Sequence, residues 1–186
     1  VKQFLIKNKG ELLVASLHTG NNSNKKKLIV GRKWGTVDDS GALDTRNWDK
    51  FVNRMIEEKV LTKDDFDFIQ SVWNLFEEMK PAAQKAHKKL YGHYFAEVTA
   101  DPIITPFGEY RGGYAPAVVD RSESFDQDLR MDKEAIESQV DSFMFPSTGR
   151  GFTKSRVEQY AAPLVLDLNL VGGHIEIGRA VQQECR

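Results

Sequence analysis

Apolar residues recur at three- and four-residue spacing through much of the chain, the pattern that turns one stripe of an α-helix toward a core. The widest stripe is Phe66, Ile69, Val72, Trp73, Phe76 and Met79, which predicts the longest helix. Thr62-Lys63-Asp64-Asp65 stands ahead of it as a capping box with aspartate in the usual glutamate position. Pro81 must kink this helix or open a successor, Ala82 to Tyr91, that stops at Gly92. A second stripe, Trp48, Phe51, Val52, Met55 and Ile56, follows a Thr45 cap. Trp48, Phe51, Trp73, Phe76 and Met79 are therefore expected to share one core. Shorter helices fit Glu11 to His18, closed by Thr19-Gly20, and Lys25 to Val30, opened by Asn21, Asn22, Ser23 and Asn24.

Past residue 94 the pattern changes. Thr105 to Pro116 holds three of the chain's fourteen glycines, two of its six prolines and two of its five tyrosines. Pro106 and Pro116 fix dihedrals, while Gly108, Gly112 and Gly113 permit dihedrals closed to other residues. Phe107, Tyr110 and Tyr114 line that prescribed path, and Glu109 and Arg111 face away from Tyr110 if it is extended. Adjacent glycines weaken a plain strand, so Gly112 or Gly113 should take a positive φ or admit a close neighbour. Asp120 to Asp128 reads as a polar, acidic loop and Asp132 to Phe143 as a helix, broken at Pro146 to Gly151. Alternation of Leu164, Leu166, Leu168 and Leu170 favours a strand, although Leu164, Leu168, Val171 and Ile175 also fit a helix. The strand reading ends at Leu170, with a turn at Gly172-Gly173 and a helix beyond. The sum is an α+β, mainly α chain: a helical part over 1–94, an extended Gly/Pro-rich ribbon or small β-sheet over 95–119, and a helix, loop, strand and helix over 120–186.

With 186 residues, 40% hydrophobic and 28% charged, the chain is the size and composition of one globular domain. A formal net charge of -1 argues against a dedicated nucleic-acid coat. No apolar run approaches the ~20 residues of a membrane helix, and Val1-Lys2-Gln3-Phe4 has no signal-peptide pattern. The single cysteine, Cys185, leaves no internal disulfide and no thiolate zinc cluster. The absence of an initiating methionine and the helical character of the last residues suggest a piece of a longer chain.

Candidate chemistry is sparse. Lys25, Lys26, Lys27, Arg32 and Lys33 surround Trp34, and an aromatic among cations is one way to hold a nucleic-acid strand. Lysines at a helix start oppose its dipole by about 0.3–1 kcal/mol, which leaves room for such a role; a solvated face beside a core tryptophan is the plainer explanation. Lys85, His87, Lys88 and Lys89 form a second basic patch. Arg150, Lys154 and Arg156 near Gly149-Arg150-Gly151 could meet an anion, but the spacing is not that of a Walker loop. Four histidines, His18, His87, His93 and His174, lack zinc-ligand spacing, and no serine has the flanking glycines of a nucleophile elbow. No metal or other cofactor is expected. An enzymatic site at the Gly108 to Pro116 ribbon would need Glu109, Arg111 or a tyrosine to converge with His87 or His93.

Several segments, taken together, resemble a known family: His18-Thr19-Gly20-Asn21, Gly31-Arg32-Lys33-Trp34-Gly35, Leu61 to Phe66, Val72-Trp73, Pro106-Phe107-Gly108 through Gly112-Gly113-Tyr114, and Phe145-Pro146 through Arg150-Gly151-Phe152. Over nearly the whole chain they resemble a region of the large polyvalent proteins of tailed phages and related mobile elements. The resemblance implies a module of a much longer chain, carried in the virion or ejected with the genome, so located in the phage particle or in the host cytoplasm after delivery. It implies partners among the other modules or other virion proteins, and no catalytic residue. A non-enzymatic structural or interaction module is the first expectation, a DNA-binding module the second, and an enzyme domain the third.

Overall fold

The computed structural model describes residues 4–118 and 163–184. Five helices and one two-stranded antiparallel sheet make up the described part, a mainly α arrangement of the α+β class. The expected helix Asp132 to Phe143, the acidic loop Asp120 to Asp128 and the break at Pro146 to Gly151 lie outside the described residues, as does Cys185.

Helices α1 (Lys9–His18) and α2 (Asn22–Gly31) meet at a tight corner. Asn8 caps α1 by accepting from the Glu11 N–H at 2.9 Å, and Asn21 caps α2 by accepting from the Asn24 N–H at 2.9 Å. Helix α2 closes on a Schellman motif, in which Trp34 N–H reaches Ile29 C=O at 2.8 Å and Lys33 N–H reaches Val30 C=O at 3.0 Å. Lys33 takes the left-handed position, with φ of 57°. That turn aims Trp34 inward. Helix α3 (Arg46–Glu57) ends the same way, on Lys59 with φ of 57°.

Helix α4 (Lys63–Tyr91) is the spine. Its 29 residues span about 43 Å at 1.5 Å per residue. At its start the Asp65 carboxylate accepts from the Thr62 N–H and hydroxyl, both at 2.8 Å, and pairs with Lys9 at 2.8 Å. Pro81 lies inside one continuous helix, so Ala82 to Tyr91 is its last third and not a successor. Gly92, with φ of 79°, stops it.

The core is contiguous. Phe4, Trp34, Trp48 and Phe51 form an aromatic cluster at one end, with the two indoles stacked at 5.2 Å and 1°. Phe66, Trp73, Phe76 and Met79 continue it along α4.

After α4 the chain folds back through a hairpin, β1 (Ile103–Thr105) and β2 (Gly108–Tyr110), paired Ile103 with Tyr110 and Thr105 with Gly108. The first half of the ribbon is thus a two-residue turn at Pro106-Phe107. Tyr110 is buried on Phe66 while Glu109 and Arg111 face solvent, which is the alternation of an extended chain. The expected strand up to Leu170 is not formed there: α5 (Leu168–Glu184) begins at Leu168 and runs through Gly172-Gly173. Two helical glycines cost roughly 1 kcal/mol each against alanine, but Val171 is buried and Ile175 packs on the core at helical spacing. Tertiary burial therefore outweighs the leucine alternation. Asp167 starts the helix by accepting from the Asn169 N–H at 2.9 Å.

Candidate functional site

The corner between α1 and α2, Leu17 to Asn24, is a polar knot sealed inside the molecule. His18, Asn21 and Asn24 are all at most 1% exposed. A buried polar group without a partner costs about 1–3 kcal/mol, and here the second half of the ribbon supplies the partners. Gly20 C=O accepts from the Gly113 N–H at 2.7 Å and from the Asp101 N–H at 2.9 Å. The Asn21 amide donates to Gly113 C=O at 2.9 Å, and the Asn24 amide to Ala115 C=O at 2.9 Å, with His18 Nδ1 at 3.1 Å. From α4, Trp73 Nε1 donates to Leu17 C=O at 3.2 Å.

Glycines make this approach feasible. Gly112 has φ of 75°, and a Cβ there would overlap the carbonyl oxygens of Gly20 and Asp101. A Cβ on Gly113 would fall 2.9 Å from Trp73 Cβ, and one on Gly20 would strike the Trp73 indole. Both expected features of the glycine pair, a positive φ and a close neighbour, are present.

Between this ribbon, α4 and residues 93–100 lies a cleft of about 950 Å³. Trp73, Phe76 and Tyr114 give it an aromatic floor, with Phe76 and Tyr114 edge to face at 5.3 Å. Asn22, Ser23 and Lys26 close it at the start of α2, and His87 and His93 at the far end of α4. Lys80 bonds Glu97 at 2.9 Å and also pairs with Glu77. Burial works against the Lys80 ammonium, yet the bonds to Glu77 and Glu97 outweigh it and hold its pKa above the ordinary value. The Lys80 bond in turn holds the Glu97 carboxyl below its usual range. Arg111 bonds the neutral Asn74 at 2.6 Å, and Lys26 makes no ion pair among the described residues. The cations left for a ligand are thus Lys26 and Arg111.

The basic residues singled out around Trp34 are dispersed by the fold. Trp34 is 3% exposed, its ring stacked on Trp48, so it has no face for a base. Lys27 is buried, and Lys25 pairs with Asp101 at 2.8 Å. Arg32 donates to Leu164 C=O at 2.5 and 3.2 Å and lies over Trp34, and Lys33 serves the α2 turn. Lys26 alone reaches the cleft. Arg150, Lys154 and Arg156 lie outside the described residues.

Of the ribbon residues, Arg111, Gly112, Gly113 and Tyr114 line the cleft, whereas Phe107 and Tyr110 pack on Phe66 at the start of α4 and Gly108, exposed, pairs with Thr105 in the hairpin. Pro116 follows the buried Ala115 and is itself buried. Glu109 does not reach the cleft, although Arg111, His87 and His93 do. His87 Nδ1 donates to His93 C=O at 2.7 Å. Among the described residues no cluster of histidine, cysteine and carboxylate has metal-binding geometry, and no helix is long and apolar enough to cross a membrane. Residues 93–100 form one wall of the cleft without a periodicity or motif that marks them in the sequence. The nearest sequence signal was Asp101-Pro102, whose proline keeps Asp101, just past that wall, extended. No family model, curated protein or solved structure matches the chain.

Proposed function

We propose that this chain is a non-enzymatic interaction module of a large virion-associated polyvalent phage protein, delivered into the host with the genome. The observation that carries the interaction reading is the open cleft of about 950 Å³, whose two walls are fixed to one buried carbonyl, that of Gly20. Its size is at the upper end of the ~300–1,000 Å³ of ordinary ligand sites, and its lining mixes aromatic surface with a few placed charges. The phage context rests on resemblance. His18-Thr19-Gly20-Asn21 and Gly112-Gly113-Tyr114, two of the segments that carry it, meet in the knot that frames the cleft. The module then works in the particle, or in the host cytoplasm after delivery, on other modules of its parent chain or on other virion proteins.

A photo-crosslinking residue in place of Glu97, in the parent protein assembled into particles, tests this. It should join to polypeptide far more efficiently than one in place of the exposed Lys50 on α3. Equal yields from the two positions would refute the reading, as would adducts to nucleic acid alone.

One observation favours DNA binding as a second reading. At the end of α4 Tyr91 and Tyr94 are 50% and 57% exposed, beside Lys85, Lys88 and Lys89, none in an ion pair among the described residues. Exposed aromatics among lysines suit a single strand. Affinity for oligothymidylate would then fall steeply between 50 and 200 mM salt on the order of the phosphate contacts made.

A further inference from the structure

A straight backbone with unpaired N–H and C=O groups is an open strand edge, and it accepts another strand unless something blunts it. Residues 94–99 run without turn or bend. The Gln84 carboxamide on α4 holds Phe95 as a neighbouring strand would, donating to its C=O at 3.0 Å and accepting from its N–H at 2.9 Å. Six residues on, Asp101 N–H bonds Gly20 C=O. In an extended chain, residues an even number apart present their backbone groups to the same edge. Phe95 and Asp101 therefore define an inner edge, secured to the body. Ala96, Val98 and Ala100 define the opposite edge, and none of them makes a backbone hydrogen bond among the described residues. Pro102, next on that edge, has no N–H to offer and ends it.

Resting on the interaction reading above, we propose that the edge Ala96, Val98 and Ala100 takes up an extended acidic peptide by strand addition. Main-chain bonds along the edge supply the affinity, and the alternate side chains of the added strand supply the selectivity. The acidic preference follows from the charges of the adjoining cleft. Both glutamates, Glu77 and Glu97, are engaged by Lys80, whereas among the described residues Lys26 and Arg111 pair with no carboxylate. An incoming lysine would find no free partner; an incoming carboxylate finds two.

The test uses the whole chain with fluorescein-labelled nonapeptides built around a central phenylalanine or leucine. One set is flanked by aspartate and glutamate, one by lysine, and one acidic set is N-methylated at alternate backbone positions. By fluorescence anisotropy the acidic set should bind, the lysine set at least tenfold more weakly. N-methylation in one of the two alternating registers should cost at least tenfold and in the other little. Ala96→Pro and Val98→Pro each remove an N–H that makes no hydrogen bond among the described residues, and should weaken binding at least tenfold with the urea midpoint unchanged. Should either variant unfold, exchange on the parent chain decides: the amides of Ala96, Val98 and Ala100 must slow at least tenfold under saturating acidic peptide. Absence of peptide binding, binding indifferent to N-methylation, equal binding of both charge sets, or displacement by oligothymidylate each overturns strand addition. The crosslink from position 97 to polypeptide would survive the first three of these, which separates failure of this mode from failure of the interaction reading.

Discussion

Alanine at Gly112 separates two costs that glycine avoids. The first is conformational: a side chain held at φ of 75° costs about 1–2 kcal/mol. The second is steric. The Cβ would overlap the carbonyl oxygens of Gly20 and Asp101, both backbone atoms, so the ribbon must lift. Lifting it breaks the Gly113 N–H bond to Gly20 C=O and the Asn21 amide bond to Gly113 C=O, in a site where each unpaired group costs about 1–3 kcal/mol. Gly112→Ala should therefore lose roughly 3–6 kcal/mol, a large part of the ~5–15 kcal/mol that holds a domain folded. Gly41 is the control, with φ of 85° and nothing within 4 Å of its would-be Cβ. Gly41→Ala should cost only the dihedral share, about 1–2 kcal/mol. Urea unfolding followed by tryptophan fluorescence measures both, since all three tryptophans are buried. Equal losses for the two variants would refute the close approach of the ribbon to Gly20.

Trp73→Ala should cost about 3–5 kcal/mol, the range for a deleted core aromatic, and Trp73→Phe should retain most of that while losing about 1 kcal/mol with the Nε1 bond to Leu17; thermal melts compare them. Lys33→Gly should raise stability by about 0.5–1 kcal/mol, because it relieves a left-handed lysine at the end of α2; an unchanged or lower urea midpoint would show that the lysine side chain contributes more than its dihedral costs. Acid should destabilise the fold. Burial pushes the Asp65 carboxyl up, but the bonds from Lys9 and Thr62 outweigh it and leave its pKa lowered; Arg46 holds Asp44 at about 2, and Lys63 lowers Asp67. Depressed folded-state values contribute stability that is present above the unfolded carboxyl pKa of about 4 and is lost as pH falls through the folded ones. Unfolding free energy should thus stay level from pH 7 to 5 and decline below 4, less steeply in Asp65→Asn.

What could be read from the sequence is what local chemistry decides. Helices α3 and α4 follow from their apolar stripes, the Thr62-Asp65 cap from its spacing, and the strain at Gly112-Gly113 from the cost of two glycines in an extended run. Trp34 left two readings open because its sequence neighbours are cations; the plainer one, a core tryptophan beside a charged face, is what the fold adopts, its inward turn set by the left-handed Lys33 at the end of α2. Helix α5 misled because the leucine alternation and the glycine pair are both local signals, and packing of Val171 and Ile175 on the core overrides them. The cleft left almost no trace, since its walls come together through pairs some 80 to 90 positions apart, Gly20 with Asp101 and with Gly113. No periodicity encodes such a pair.

That shared carbonyl also bears on how the cleft would bind. A wall made of an extended segment is ordinarily flexible, and ordering it on binding costs about 1–2 kcal/mol per residue of backbone freedom. Here Phe95 is clamped by Gln84 at one end and Asp101 is tied to Gly20 at the other, so only the residues between them are left to settle. The opposite wall, Gly112 to Tyr114, is fixed to the same Gly20 oxygen. A partner therefore meets two walls already in register and loses mainly its own freedom, which is the condition under which a short extended peptide can bind usefully. It follows that knot variants such as Gly112→Ala should impair folding and binding together, whereas Ala96→Pro and Val98→Pro, on the unsupported edge, should impair binding alone.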